Sequence, residues 1–591
     1  MIPNKPIVFY AVSFYISCIS YVVFDSNSLL GAVTAASFLI IILLTVDKRF
    51  SVIIGGFFIA GVVAIHAYYS FAVMDKLETI RISKIKDYYS VGSAKGRNII
   101  IKGNLEGLEE GDKVLAKGKF EKQTDYNRGT IGSFYVEDFR LYKPDMVSRL
   151  QTVKRNAYEK FEEHLGKEKA ALVMSMCFGE TAYLSEEQKY DFQELGVVHA
   201  ISVSGFHMAV IYKILEGVMG LWPSILVSLL YMIFTGAQSA TLRAFLMILT
   251  LKLSKKFFRN YDSLSALSTS ALIILVFRPY YVLDVGFILS YLATLGIILY
   301  YNKIRRALFK LPKIINESLS LTLSAQTFSM AYSGMVFNNI SFGFLLGNIV
   351  LLPMYTVLVA AGNMALLLLK TNYIFGLVCR GINFISTAIE GASYLLLKLV
   401  PPVADISYLS SLALLIIIAC FILSKKGFEK CKFVPIFVLG IVMLENYNFF
   451  PRIDYLNLAG KDGIILSYKD ERVLVHNLNE PISEKDKLKF SKVIENTGGE
   501  FVIRLGKNYS VKLINSKGYN SKSVDLEVVG HNRKTVLTRN TENFMDMDLK
   551  KYDIIKMPKQ EYYPFKGKLT NKIPKDSYTV VFTKVYALHK D

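Results

Sequence analysis

Four residues that could exchange protons or accept hydrogen bonds, His199, Ser202, Ser204 and His207, fall within nine positions, where an apolar stretch begins. Ser204 and His207 are three apart and share a face if they are helical. That spacing suits a nucleophile and its base, yet no orienting carboxylate lies nearby and no G-x-S-x-G elbow is present. The two histidines could also ligate a metal, with Glu180 or Asp191 as companions. A third reading, polar lining or hydrogen bonding between membrane helices, is the favoured one. Arg243 is sharper. It stands in the string Thr235-Gly-Ala-Gln-Ser-Ala-Thr-Leu-Arg-Ala-Phe-Leu-Met, with Gly236 and Ser239 on its helical face. A charge at membrane depth costs about 2.5–3.5 kcal/mol on insertion scales and therefore faces a cavity or a partner. Small-residue helix packing accounts for Gly236, Ser239 and Ala240 and leaves that role open to Arg243. Asp284 is a candidate counter-ion, and Gln326 and Asn348 are further buried polar candidates.

The elements that must carry these residues are membrane-length. The chain has 591 residues, 52% of them hydrophobic, with a net charge of +20 and a mean hydropathy of +0.34. Ile7–Phe24, Leu29–Val46 and Val52–Met74 contain no Asp, Glu, Lys or Arg. Each can cross or nearly cross a ~30 Å hydrocarbon core. The first run is too long for a signal peptide, lacks a small-residue cleavage site and is followed by two more. It reads as a retained transmembrane helix. Apolar blocks return at 206–220, 223–235, 239–253, 263–277, 282–300, 317–336, 341–369, 373–399, 407–424 and 433–449. Several early ones are short and interrupted. Broken segments are tolerated in a membrane only where protein or a water-filled cavity covers the freed backbone. Residues 199–253 are therefore the first place to look for a site or a pore. An amphipathic stretch, 147–165, and the semi-apolar run 170–179 precede it.

Loop charge sets the topology. The 25–28 loop has no Lys or Arg, whereas Lys48 and Arg49 follow the second helix. The N-terminus is then cytoplasmic and residue 75 emerges outside. Further inner loops are marked by Lys252, Lys255, Lys256 and Arg259, by Lys303, Arg305, Arg306 and Lys310, and by Lys425, Lys426, Lys430 and Lys432. Residues 75–146 and 450–591 face outward.

The first outer segment alternates like strands separated by turns, at 98–102, 113–120 and 131–136. About five short strands suit a small barrel, with an OB-fold the obvious candidate. Such barrels bind single strands through basic grooves and stacked aromatics. Lys117, Lys119, Lys122, Tyr126, Arg128, Phe134 and Tyr135 are the candidates, although half of the aromatics belong to a barrel core. The segment has 14 Lys/Arg against 12 Asp/Glu. The C-terminal segment is strand-rich, then Lys- and Asn-rich, with 26 against 18. It attracts polyanions or is simply a solvated surface. Neither outer segment contains cysteine, and the chain has no CxxC signature.

Three ordered strings carry a family resemblance over about residues 5–450. Gly196-Val-Val-His-Ala-Ile-Ser-Val-Ser-Gly-Phe-His resembles the G-L-x-H-L-L-A-I-S-G-L-H signature of ComEC-type DNA-internalisation competence proteins. Ser239-Ala-Thr-Leu-Arg-Ala-Phe-Leu-Met is similar to their S-x-x-R-A-x-x-M helix. Asp284-Val-Gly-Phe-Ile-Leu-Ser-Tyr-Leu-Ala-Thr-Leu-Gly is similar to their D-x-G-F-Q-L-S-F-L-A-T-x-G. The resemblance implies a membrane channel that passes one DNA strand inward during natural transformation. It also implies an outer DNA receptor and a cytoplasmic helicase-like ATPase motor as partners, beside membrane lipid. The matching core positions are His199, Ser204, Gly205, His207, Ser239, Arg243, Asp284, Gly286, Phe287 and Ser290. Ile288 replaces the family's Gln, and the cysteine pair of many family barrels is missing. The strings at 453–466 and 472–478 resemble the opening hairpin of a metallo-β-lactamase-like domain, but no H-x-H-x-D-H follows. His476, His531 and His589 are isolated, which cannot build a two-metal site. The expectation is a degenerate module without nuclease activity.

The expected molecule is a polytopic α-helical membrane protein with an inserted small extracytoplasmic OB-like β-barrel and a β-rich C-terminal extracytoplasmic domain. Its boundaries are 1–74, 75–146, 147–449 and 450–591. It is expected to be a single-stranded DNA channel and not an enzyme, without cofactor, metal or catalytic residue. The alternatives are a membrane-embedded hydrolase or transferase using Ser204 and His207 on a wall or lipid polymer, and a non-conducting polyanion-binding homologue.

Overall fold

A computed structural model describes residues 5–70, 76–85, 89–103, 105, 107–201, 203–458, 461–476, 487, 490–495, 501–505, 509–515, 524–530, 533–538, 552–556, 576–581 and 584–588. Ser202, His531 and His589 lie outside the described residues. The chain divides into two compact units, Met1–Tyr332 with Ser341–Val400, and Ser333–Ile340 with Pro401–Asp591.

The first unit opens with three helices, α1 (Pro6–Ser26), α2 (Ser28–Thr45) and α3 (Lys48–Ser70). Asn27 separates the first two and caps α2 by accepting the Leu30 N–H at 3.1 Å. Strands β1 (Leu77–Ile85), β2 (Ser90–Ala94), β3 (Arg97–Gly103), β4 (Lys113–Glu121) and β5 (Thr130–Leu141) follow. They close into a five-stranded barrel in the order β1-β2-β3-β5-β4. β3 and β5 run parallel, and β4 pairs back to β1. Alternate residues fill it: Ile80, Ile82, Ile99, Ile101, Val114, Ala116 and Phe134 are buried together.

Tyrosines seat the barrel on the helices. The Tyr68 hydroxyl at the end of α3 donates to the Gly129 carbonyl at 2.9 Å and accepts the Asn98 N–H at 3.1 Å. The rings of Tyr69 and Tyr126 meet at 4.7 Å, and the Tyr126 hydroxyl donates to Asp25 at 2.8 Å.

The helical core of this unit contains α4 (Met146–Leu165), α5 (Lys167–Phe178), α6 (Glu186–Glu194), α7 (Val198–Ile201), α8 (Gly205–Met219), α9 (Leu221–Phe234), α10 (Ser239–Lys256) and α11 (Ser263–Phe277). A short 3-10 helix (Pro279–Leu283) leads to α12 (Val285–Ala307). Then come α13 (Lys313–Phe337), which belongs to this unit as far as Tyr332, α14 (Phe344–Leu367) and α15 (Asn372–Leu399). Phe161, Met174, Phe178, Val203, Met208, Tyr355, Phe375 and Ile382 belong to one buried cluster. The amphipathic α4 is tied to the barrel at its start. Asp145 caps it by accepting the Val147 and Ser148 N–H groups and pairs with Arg81 of β1. That guanidinium holds the Asp145 carboxyl well below the usual carboxylate range.

The second unit contains β6 (Asn339–Ile340), β7 (Ala404–Asp405), α16 (Tyr408–Lys425) and α17 (Val434–Asn446). It also holds β8 (Asn448–Leu458), β9 (Lys461–Lys469), β10 (Glu471–His476), β11 (Lys492–Glu495), β12 (Phe501–Leu505), β13 (Tyr509–Asn515), β14 (Val524–Gly530), β15 (Arg533–Thr538), β16 (Tyr552–Lys556), β17 (Asp576–Val581) and β18 (Lys584–Leu588). These strands form two sheets, β11-β10-β9-β8-β17-β18 and β12-β13-β14-β15-β16. Apolar residues from both, including Tyr455, Leu466, Val511, Leu526 and Tyr578, share one core.

Among the described residues seven helices, α1, α2, α3, α12, α14, α15 and α16, are long and apolar enough to cross a membrane. The chain is thus a multi-pass helical membrane protein with a small barrel and a β-rich C-terminal region. The helices α9 and α11 are apolar but shorter, reaching only about 21–23 Å at ~1.5 Å per residue.

Candidate polar site in the helical core

Residues 196–205 separate the polar helix α6 from the apolar α8. Gly196 has φ +67°, and a Cβ there would lie 2.6 Å from the Phe344 backbone nitrogen. Both the left-handed backbone and the close approach of α14 require glycine. The chain then makes the single turn of α7, which carries an exposed His199, and restarts as α8 with Ser204 at its N-cap.

The Ser204–His207 pair is a cap and not two residues on one helical face. The Ser204 backbone N–H donates to His207 Nδ1 at 2.9 Å. The Ser204 hydroxyl stands 3.3 Å from the same nitrogen. A nitrogen lone pair that already accepts an amide N–H is a poor base for the hydroxyl beside it. In this arrangement the other ring nitrogen, Nε2, carries the proton. It is buried, in a side chain only 1% exposed, and has no hydrogen-bond partner.

Arg243 extends from α10 past the start of α8 towards α12. Its Nη1 donates to the Ser290 carbonyl. A Cβ on Gly205 would lie 2.6 Å from Nη2, so the glycine leaves the guanidinium its room. Arg243 Nε is buried without a partner, and among the described residues no carboxylate pairs with this side chain. Asp284, the expected counter-ion, is used otherwise. Its Oδ1 accepts the Phe287 N–H at 2.6 Å as the cap of α12 and the Ser239 hydroxyl at 3.2 Å. An N-cap carboxylate is well satisfied by amide donors and the helix dipole, which explains why it does not turn to the arginine. Gly286 is exposed beside it, Phe287 is buried, and the Ser290 hydroxyl donates back to the Phe287 carbonyl at 3.0 Å.

These contacts fix how three helices run. Gly205 and Arg243 adjoin near the starts of α8 and α10. At the other end Lys252 of α10 pairs with Glu216 of α8 at 2.5 Å, so the two helices are parallel. The Ser239–Asp284 bond brings the start of α12 to the same place. The starts of three helices therefore converge on one guanidinium, whose Nε has no hydrogen-bond partner. Each N-terminus carries about half a positive charge. The chemistry offered is binding of an anion, with donors and positive potential in surplus.

Other expectations divide. Glu180, considered as a metal companion for the histidines, is taken by Lys154 in an ion pair. Among the described residues no group of three or more His, Cys, Asp or Glu could hold a metal. Asn348 donates to the Thr322 hydroxyl at 3.2 Å, and Gln326 accepts from Ser329 at 3.3 Å. Arg278, which the sequence reading passed over, donates to the Ala237 carbonyl at 3.0 Å and to the Tyr281 hydroxyl at 2.8 Å. Its position between an apolar helix and Pro-Tyr-Tyr is the signal that could have found it.

On the barrel, Lys117, Lys119, Lys122, Arg128 and Tyr135 are exposed, whereas Phe134 is core. Tyr126 is engaged in seating the barrel, its ring against Tyr69. Arg128 pairs with Asp125 at 3.4 Å and lies over the Tyr89 ring. Tyr135 faces Lys119 across β4–β5 and Lys102 across β3–β5. The Lys102 ammonium is 5.1 Å from its ring centre. This row of lysine, tyrosine and lysine includes one residue, Lys102, that was not singled out. Its place at the end of the 98–102 alternation was the available clue.

Comparison with known proteins locates the similarity in this core. Residues 176–426 match the family model described as "Competence protein". Over 222 residues the chain is 27% identical to ComE operon protein 3 of Bacillus subtilis (strain 168), covering 36% of this chain and 28% of that protein. Over 148 residues it is 30% identical to an uncharacterized protein of Aquifex aeolicus (strain VF5), covering 24% of this chain and 36% of that one. The chain thus spans about a third of the length of either curated relative. No solved structure matches.

Proposed function

We propose, from the premise that this chain belongs to the ComEC-type competence family through its residues 176–426, that it passes single-stranded DNA across the cell membrane during natural transformation. The observation that carries the proposal is Arg243, a cation without a carboxylate partner among the described residues, standing where three helix N-termini meet. A phosphodiester backbone entering a low-dielectric slab needs such donors. His199, Ser204, Gly205, His207, Ser239, Asp284, Gly286, Phe287 and Ser290 shape this point, and Arg243 contacts the strand.

In this reading the N-terminus is cytoplasmic, and the barrel and β-rich domain are extracytoplasmic. The strand order 1-2-3-5-4 supports an OB-like barrel. Its exposed Tyr135, flanked by Lys102 and Lys119, suits a base stacked between phosphate contacts. Lys117 and Lys122 extend the basic surface. Tyr126 is withdrawn from this role because it serves docking. Delivery by a separate outer receptor and traction by a helicase-like ATPase inside complete the process. The protein performs no hydrolysis itself: His476 is the lone histidine among the described residues of the C-terminal unit, and no metal-binding run is present in the sequence. The cap geometry of Ser204 and His207 speaks against the serine-hydrolase reading.

The test is uptake of labelled DNA in a transformable host carrying the full-length chain. Arg243→Ala should leave surface-bound DNA unchanged and lower the nuclease-protected internal fraction by about tenfold or more, the effect of losing ~1.4 kcal/mol. Ser204→Ala should transform normally, because the N–H that bonds His207 is backbone. Normal internalisation by Arg243→Ala would refute the lining role.

A further inference from the structure

The turn between α12 and α13 forms an open pocket of about 460 Å³ lined by Asn302, Arg305, Arg306, Phe309, Leu311, Lys313 and Asn316. Nothing in the proposed passage of DNA uses it. Three of its seven lining residues are cationic. Arg305 has one acidic partner, Glu317 at 3.3 Å. Arg306 Nε donates to the Asn302 carbonyl in its own helix, and neither Arg306 nor Lys313 has an ion-pair partner among the described residues. The floor is fixed: the Asn316 amide bonds the Arg305 and Leu308 carbonyls at 3.1 and 2.8 Å and closes the end of α12. Large apolar side chains stand exposed around the cations, Phe309 at 72% and Ile314 at 81%. An apolar surrounding such as lipid suits these side chains.

The position decides the ligand. α12 is long and apolar enough to span a membrane, so its last turn lies at headgroup level. Cations there are also favoured by the C-terminal end of the helix dipole. We propose that this pocket binds the phosphate of an anionic phospholipid, with Arg305, Arg306 and Lys313 on the headgroup and Phe309, Leu311 and Ile314 against the acyl chains. The lipid holds one end of α12 while the other end, through Asp284 and Ser290, positions Ser239 and Arg243. Basic pockets between membrane helices are suited to such headgroups. This assignment needs only a membrane location and stands whether or not the chain conducts DNA.

The experiment uses the purified full-length protein in lipid nanodiscs containing either phosphatidylglycerol or phosphatidylcholine, with retained lipid measured by native mass spectrometry after extraction. Wild type should retain phosphatidylglycerol in preference. The double variant Arg306→Gln/Lys313→Gln keeps the Arg305–Glu317 pair, and hence the fold, and should lose about fivefold in preference per neutralised side chain. Glu317→Gln frees Arg305 and should raise retention. Lys425→Gln/Lys426→Gln, elsewhere in the chain, should change nothing. Undiminished preference in the double variant overturns the proposal, as does an equal loss of both lipids. Displacement of the lipid by millimolar inorganic phosphate would assign the pocket to the free anion. A variant effect on binding of a thymidine oligonucleotide, with lipid retention intact, would assign it to nucleic acid.

Discussion

Arg243 depends on two neighbours, and each gives a prediction at the scale of single residues. Gly205→Ala places a methyl group 2.6 Å from Nη2. The guanidinium must move, so internalised DNA should fall about tenfold although the arginine is intact and the protein still inserts and folds. Arg243→Lys keeps the charge but loses the planar fork that spans from the Ser290 carbonyl to Gly205. Its uptake should lie between wild type and Arg243→Ala. Asp284→Asn should be mild, since an asparagine also caps. A counter-ion role would instead make Asp284→Asn as damaging as Arg243→Ala. The sequence made Arg243 conspicuous because a lone charge in an apolar run is costly. It could not show that Asp284 caps a helix: capping requires knowing where α12 begins, and Asp284 lies inside an apolar block that reads as continuous. The Ser204–His207 spacing is ambiguous for the same reason. Three residues apart fits a helical face and equally fits an N-cap with its third helical residue.

At the scale of elements, the hold of the barrel on the helices can be measured. Tyr68→Phe removes the hydroxyl that joins the Gly129 carbonyl and the Asn98 N–H. It should cost about 1–3 kcal/mol, read as a lower thermal denaturation midpoint of the full chain in detergent. The Arg81–Asp145 pair couples the barrel to α4 in a pH-dependent way. The folded-state pKa of Asp145 is depressed by the guanidinium. The pair's contribution is therefore present above the ordinary carboxylate range, about pH 4, and lost as pH falls through the depressed value. Asp145→Asn should remove this component, giving a flatter decline of the midpoint below about pH 4 than wild type. Helices and barrel strands were legible because apolar blocks and alternation are local. The seating surface was not: Tyr126 looks the same in sequence whether it stacks on a base or on Tyr69, and only the return of the chain to α3 decides.

At the scale of the whole molecule, composition pointed two ways. A net charge of +20 resembles a nucleic-acid signature, yet much of it lies in helix-end clusters such as Lys303, Arg305, Arg306, Lys310 and Lys313. There it lines the proposed lipid pocket and is available to set the orientation proposed above. The β-rich C-terminal unit should not cleave DNA. Purified full-length protein with zinc or manganese added should leave a linear duplex intact over hours, and metal-dependent cleavage would show that the module is not degenerate. The opening strands of that domain were readable from their alternation, whereas its second sheet, β12 to β16, pairs in a way no local pattern announces. The central claim is that this core carries a DNA strand past Arg243. Its most direct measurement is the nuclease-protected uptake of labelled DNA by cells producing wild type, Arg243→Ala or no protein, with surface binding recorded in parallel. Equal surface binding is expected in all three, with internal label full in wild type, lower by about tenfold or more in Arg243→Ala and absent without the protein. Equal internal label in the three strains would contradict the claim.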